Sequence, residues 1–247
     1  MAGSETVIEI RQLSALAEFS EALKLQECVW GFAERELLPL RFFVVASRIG
    51  GQILGAYHAE EMVGFCLTVP GIKPDGRPYL HSHMLGVLPA YRDAGVGRRL
   101  KLRQRADALA RGIDLVEWTF DPLEIKNAFF NIERLGAIVR RYAENEYGGT
   151  SSPLHGGLPT DRCVAEWWIS SPRVDAVLSG AKPEQCIEDR IAVPADIDRL
   201  RREDPGRARE IQRANAERFR QCFARSLVVT GLERTKTEGV YLLGPLA

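Results

Sequence analysis

Two histidines, a carboxylate in an apolar run and a glycine pair supply the chemistry this sequence could run. His81 and His83 stand two residues apart in Tyr79–Val87, which alternates like a strand. Strand side chains alternate between faces, so the two histidines share one. Imidazole titrates near 6.5 and suits proton transfer around neutral pH. Glu117 lies in the apolar run Leu115–Phe120 beside Trp118. A carboxylate so placed needs a partner or a raised pKa. It is therefore either a base acting through water or one half of a buried ion pair.

The strand leads into Leu85-Gly86-Val87-Leu88-Pro89-Ala90-Tyr91-Arg92-Asp93-Ala94-Gly95-Val96-Gly97-Arg98. Its kernel is Arg92-x-x-Gly95-x-Gly97, which reads as a turn opening a helix. Glycine lets a backbone approach a ligand closely. A helix N-terminus presents unpaired N–H groups and partial positive charge. Together they make a cradle for a pyrophosphate-like anion. The segment lacks the Gly-Lys-Ser/Thr ending of a Walker loop and the glycine spacing of a Rossmann turn.

The elements that must hold these groups follow from periodicity. Val7–Arg11 reads as a strand. Ser14–Trp30 reads as a helix with Ser14 at its N-cap, and Phe32–Leu40 as a second helical or irregular stretch. Val44–Ala46 reads as a strand start. Gln52–His58 and Met62–Pro70 form a hairpin through Ala59-Glu60-Glu61. After Tyr79–Val87 come a helix over Gly95–Arg111, the strand Leu115–Phe120 and a helix over Leu123–Leu135 that stops at Gly136. Ala137–Tyr142 and Val164–Ile169 are further strands. The expected fold class is thus α/β with a mixed sheet: strand, two helices, three strands, helix, strand, helix, strand.

Beyond this, Pro172–Gly180 and Pro194–Arg202 read as short helices. Asp204-Pro205 opens a clear helix with N-cap and N1 residues in place. Leu227–Leu232 and Gly239–Leu243 are closing strands. Arginines at 199, 201, 202, 207, 209, 213, 218, 220 and 225 alternate with acids, the pattern of a solvated, salt-bridged face.

The chain has 247 residues, 33 basic and 33 acidic, so no net field draws it to nucleic acid or an anionic membrane. Its five cysteines, without Cys-x-x-Cys spacing, fit reduced thiols better than metal or disulfides. Cys66 reads as core filling. Met1–Thr6 has no signal-peptide character, and no apolar run approaches the roughly 20 residues of a membrane span. A cytoplasmic protein without metal is expected.

The Arg92-x-x-Gly95-x-Gly97 segment behind its strand resembles the acetyl-CoA signature of the GNAT superfamily of N-acetyltransferases. Asn127-Ala128-Phe129-Phe130-Asn131-Ile132-Glu133-Arg134-Leu135-Gly136-Ala137 is similar to its second signature. The resemblance covers about residues 5–170 and implies the GNAT fold, with 1–170 as the acetyl-CoA-binding core and 171–247 as an extension packed on it. Thr119–Leu123, Leu158–Arg162 and the tail together resemble a bacterial branch of that superfamily, which names no acceptor.

The resemblance implies acetyl-CoA as co-substrate and direct attack of an amine on its thioester. The acceptor would be a small molecule or amino acid. It implies cofactor contacts from Leu85, Gly86, Val87, Arg92, Asp93, Ala94, Gly95, Val96, Gly97 and Arg98, mostly through backbone. Asn127 and Asn131 either hydrogen-bond the pantetheine arm or are helix-surface asparagines. Arg98 either adds charge toward phosphate or is an exposed first-turn arginine. Asp93 is expected to point to solvent. His83, His81 and Glu117 are the base candidates. The tyrosine that protonates the departing thiolate in many members is replaced here by Ile132. Tyr142 or Tyr147 would substitute, or solvent would. Trp30, Phe32, Trp167 and Trp168 either line the acceptor site or fill the core, and Glu34 and Glu36 either attract an amine or are solvated. A homodimer is expected only at family level. The alternatives are a non-catalytic acyl-CoA-binding protein, favoured by Ile132, and a nucleotide-binding protein with a coincidental turn.

Overall fold

A computed structural model describes residues 7–150, 152 and 155–246. The sequence reading of Met1–Thr6 lies outside the described residues. The chain divides into two compact units, one through Val116 and one from Glu117.

In the first unit β1 (Ile8–Gln12), β2 (Gln52–His58), β3 (Glu61–Ile72) and β4 (Pro78–Val87) run antiparallel in sequence order. The β2–β3 hairpin closes through Ala59 and Glu60, with Ala59 in the left-handed region at φ 51°. Helices α1 (Leu16–Trp30) and α2 (Leu40–Arg48) bring Phe19, Ala22, Leu25, Phe43 and Ala46 onto Ile53, Phe65, Leu67 and Met84. Helix α3 (Val96–Ala110) brings Val96 and Leu100 onto Leu54, Ala56, Val63 and Cys66. Adjacent residues such as Ile53 and Leu54 serve different cores because strand side chains alternate.

Three local expectations are corrected. Val44–Ala46 lies in α2, not in a strand. Phe43 and Ala46 face inward while Val45 and Ile49 are exposed, so a helical stripe overrides the β-branched composition. Only Glu34–Glu36 forms a helical turn within Phe32–Leu40. The N-cap of α1 is Ala15, not Ser14, and the Glu18 carboxylate accepts the Ser14 and Ala15 N–H groups instead.

In the second unit the strand order is β5 (Leu115–Phe120), β7 (Arg162–Trp168), β6 (Ile138–Ala143), β9 (Val228–Arg234), β10 (Glu238–Gly244), β8 (Asp189–Pro194). The C-terminal strands continue the sheet, with Val229 of β9 paired to Val139 of β6. Strand β8 replaces the start of the helix expected at Pro194. Ile191 and Val193 alternate inward, and α6 begins only at Ile197. Helix α5 is Pro172–Leu178. Helix α7 (Pro205–Ala224) starts as its sequence indicates, with Asp204 accepting the Arg207 N–H and Pro205 at the first position. Phe219 of α7 stacks on Tyr142 at 5.5 Å and meets Tyr241 edge-on at 5.1 Å.

The helix expected over Leu123–Leu135 is shorter and divided. Regular α4 covers Ile125–Phe129, and Phe130–Arg134 is wound as a π-helix. Such wider turns are rare and recur at functional sites. Most of the arginine-rich tail is solvated and paired, as with Arg199 to Asp196 and Glu203. Arg201 departs from that pattern and is buried. Among the described residues no helix is long and apolar enough to cross a membrane.

Candidate functional site

Strand β4 is irregular where its chemistry lies. Leu67 of β3 faces Met84 and the next residue, Thr68, faces Ser82, so His83 is an extra residue in a β-bulge. Bulges re-aim side chains and recur beside active sites. Ser82 and Met84 are buried, whereas His83 is exposed. Its ring lies 5.8 Å from that of His81 and 6.2 Å from that of Phe42 on α2. The shared face expected of the two histidines is therefore realised.

Their environments separate their roles. Burial, then the charges of His83, Lys101 and Lys73, push His81 down to about 4. Desolvation by the packing around its ring lowers His83 from its ordinary value, although the residue keeps an exposed edge. Both rings are neutral at pH 7, and His83 is the accessible one.

The opposite face of β4 carries a buried polar cluster that sequence reading missed. The Lys101 ammonium donates to Ser82 Oγ at 2.8 Å and to Gln104 Oε1 at 3.1 Å. The Gln104 amide donates to Thr68, Ser82 and the Cys66 sulfur. Burial drives Lys101 down to about 8. The signal for Gln104 was its place on the stripe Val96-Leu100-Gln104-Ala108, whose members are all buried. Cys66 does fill the core, and its sulfur also accepts a hydrogen bond.

Beyond β4, a short 3₁₀ turn at Pro89–Tyr91 delivers the chain to the glycine segment. The Tyr91 hydroxyl and His58 Nδ1 lie 2.8 Å apart and tie that turn to the hairpin. Arg92 folds back, its Nε donating to the Val87 carbonyl at 3.2 Å. Asp93 and Gly95 both adopt left-handed backbone, at φ 62° and 77°. Asp93 is exposed, as expected, and Arg98 is half-buried. Gly95 is the N-cap of α3. As a glycine it has no side chain to cap the helix, and the first turn carries no acid. A helix N-terminus so built suits an anion. A Cβ built on Gly95 would meet nothing within 4 Å, so the approach is open.

Trp30, at the end of α1, lies over β4: a Cβ on Gly86 would come within 2.8 Å of its ring. Trp30 stacks on Phe32 at 6.0 Å and meets Phe65 edge-on. Glu34 is exposed, and Glu36 is half-buried near Arg35.

The remaining candidates belong to the second unit. Glu117 is buried and bonded to Arg141 at 2.5 Å. The ion-pair alternative is therefore the one observed. Arg141 also reaches buried Glu166, which Arg140 binds as well. Tyr142 donates to Asp161 at 2.7 Å, and burial with that carboxylate raises its pKa far above ordinary. Tyr147 is half exposed, its hydroxyl 2.7 Å from Thr119 Oγ1. Ile132 is fully buried and Asn127 exposed. Asn131 is buried within the π-helix, and its Nδ2 has no acceptor among the described residues. Trp167 is core, donating to the Leu135 carbonyl, and Trp168 donates to Glu166. Among the described residues no group of three or more His, Cys, Asp or Glu is placed to hold a metal ion.

No protein-family model and no curated protein sequence matches the chain. Solved structures do. One is a GNAT-family protein of Desulfovibrio desulfuricans (16% identity, 66% of this chain and 100% of that one, TM-score 0.53). Another is the ribosomal-protein-S18-alanine N-acetyltransferase of Escherichia coli (16% identity, 67% and 96%, TM-score 0.53). A third is YncA of Salmonella typhimurium, solved with its cofactor acetyl-CoA (14% identity, 72% and 99%, TM-score 0.52). With a four-stranded antiparallel start, a bulged β4 and a glycine turn opening α3, the chain has the fold of the GNAT acetyltransferases.

Proposed function

We propose that this protein is an acetyl-CoA-dependent N-acetyltransferase acting on the amine of a small molecule or amino acid. The observation that carries the reading is the N-terminus of α3: a left-handed glycine N-cap and no acid in the first turn, one short turn after β4. These features fit a pyrophosphate. Gly95, Val96, Gly97 and Arg98 would hold it, with the backbone of Arg92–Ala94 shaping the loop and that of Leu85–Val87 lining the pantetheine. In the second unit the Asn131 amide, buried without an acceptor among the described residues, is a donor for a ligand carbonyl, as is that of exposed Asn127.

Acetyl-CoA, when bound, supplies an acetyl group activated as a thioester. The work left to the protein is orientation, proton acceptance and stabilisation of developing oxygen charge. His83 is neutral at pH 7 and accessible, so it takes the proton from the attacking amine nitrogen. His81 is too weak a base for that step and packs beside its neighbour. As the N–C bond forms and the C–S bond breaks, the thiolate takes its proton from solvent. Tyr142 already donates to Asp161 and is a poor proton source. Glu117 holds its ion pair with Arg141 and positions β6 rather than moving a proton.

A second reading, a non-catalytic acyl-CoA-binding protein, is favoured by one observation: the position that carries a tyrosine in many members is the fully buried Ile132. Thiol release from acetyl-CoA with a panel of primary amines separates the two. Amine-dependent release supports transfer. Acetyl-CoA binding with no release from any amine supports the second reading.

A further inference from the structure

The bulge at His83 does more than expose one imidazole. Phe42 flanks it from α2, and His81 lies alongside. Farther along the strand, Trp30 lies over Gly86 with Phe32 stacked on its ring. Trp30, Phe32 and Phe42 are each half-buried at the edge of the core they pack on, so part of each stays in contact with water. Covering such surface removes apolar area from water, worth about 25 cal/mol per Å². The site is also costly for charge. Burial lowers the pKa of His83, and the same surroundings favour the neutral form of an amine placed there. A second ammonium on the ligand would bear that desolvation cost without reward.

We propose that the acceptor is a monoamine carried on an aromatic or bulky apolar group, its ring seated among Trp30, Phe32 and Phe42 with the nitrogen at His83. This rests on the acetyl-transfer reading for the fate of the amine, but the aromatic seat itself needs no cofactor. The seat favours arylalkylamines over polyamines. Phe42 is its specificity-determining residue, since its ring is the one beside the base.

Calorimetric titration of the full chain with 2-phenylethylamine and with spermidine tests the proposal without any acyl donor. The expected result is saturable binding of 2-phenylethylamine, at least about tenfold tighter than spermidine. Phe42→Leu, which keeps the apolar packing, should weaken it several-fold, and Phe42→Ala by about tenfold, the loss expected for an aromatic contact. Far-UV circular dichroism establishes that both variants are folded. Equal or tighter binding of spermidine would overturn the proposal, as would unchanged 2-phenylethylamine affinity in a folded Phe42→Ala protein. If 2-phenylethylamine binds through Phe42 but acetyl-CoA gives no thermal stabilisation, the aromatic seat stands and the transferase reading falls.

Discussion

The guanidinium of Arg201 donates to the carboxylate of Asp121 across 2.7 Å, with both side chains buried. Eighty positions of sequence separate them. Asp121 follows β5 and also receives His155 at 3.5 Å, while Arg201 binds Glu124 and Asp198 as well. The motif around Asp121 and the arginine-rich tail thus form one ionic lock inside the second unit. Arg201→Ala would leave Asp121 buried without its main counter-charge. Breaking a buried pair on one side costs about 3–5 kcal/mol. Urea unfolding should show that loss as a lowered midpoint, while Arg199→Ala, at an exposed pair, should barely move it.

The same carboxylate sets an acid limit. Burial pushes Asp121 up, but the His155 hydrogen bond and the Arg201 charge outweigh it and hold the group below its ordinary 3.8. A depressed folded-state pKa gives stability that is present above 3.8 and lost as pH falls through the folded value. Asp121→Asn should therefore flatten the stability profile below pH 4, read from thermal midpoints across an acid series.

Lys101 acts in the other direction. Its folded-state value near 8 lies below the ordinary 10.5, so the unfolded chain binds more protons between them. Stability then rises with pH across that window, by roughly 3 kcal/mol at 1.36 kcal/mol per unit. The difference between wild type and Lys101→Met, followed from pH 8 to 10.5, should carry that slope. Parallel curves would show that the ammonium is not desolvated.

Much of this was legible locally. Asp204-Pro205 marked the start of α7, and the glycines of the Arg92–Gly97 run marked a turn into α3, because N-caps and left-handed positions select residue types directly. The misreadings arose where distant packing decides. Phe42-Phe43-Val44-Val45-Ala46 has strand composition, yet it winds into α2 because Phe43 and Ala46 must reach a common core. The bulge at His83 is a matter of register against Leu67 and Thr68, which no local pattern encodes. Arg201 looks like its solvated neighbours until Asp121 is brought to it.

If His83 is the base, His83→Ala should lower kcat by about 10²–10⁴-fold, the usual contribution of general-base catalysis. Acetyl-CoA affinity should be unchanged. The acidic limb of the wild-type kcat/KM profile should fall below 6.5, since burial lowers the imidazole. His81→Ala should have the smaller effect.

Asp93 places a negative side chain beside the proposed pyrophosphate cradle in left-handed backbone. Asparagine tolerates that conformation equally well. Asp93→Asn should keep the fold and tighten acetyl-CoA binding several-fold at low salt, with the gain shrinking as salt screens it.

Thermal unfolding with acetyl-CoA, with ATP and with neither tests the proposed pyrophosphate site at the start of α3. At about 100 times its dissociation constant, a specific ligand stabilises by about 2.7 kcal/mol. That shift is expected for acetyl-CoA, little for ATP, and none for acetyl-CoA in Gly95→Glu, whose carboxylate would stand in the cradle. No shift with acetyl-CoA, or an equal one with ATP, would contradict it.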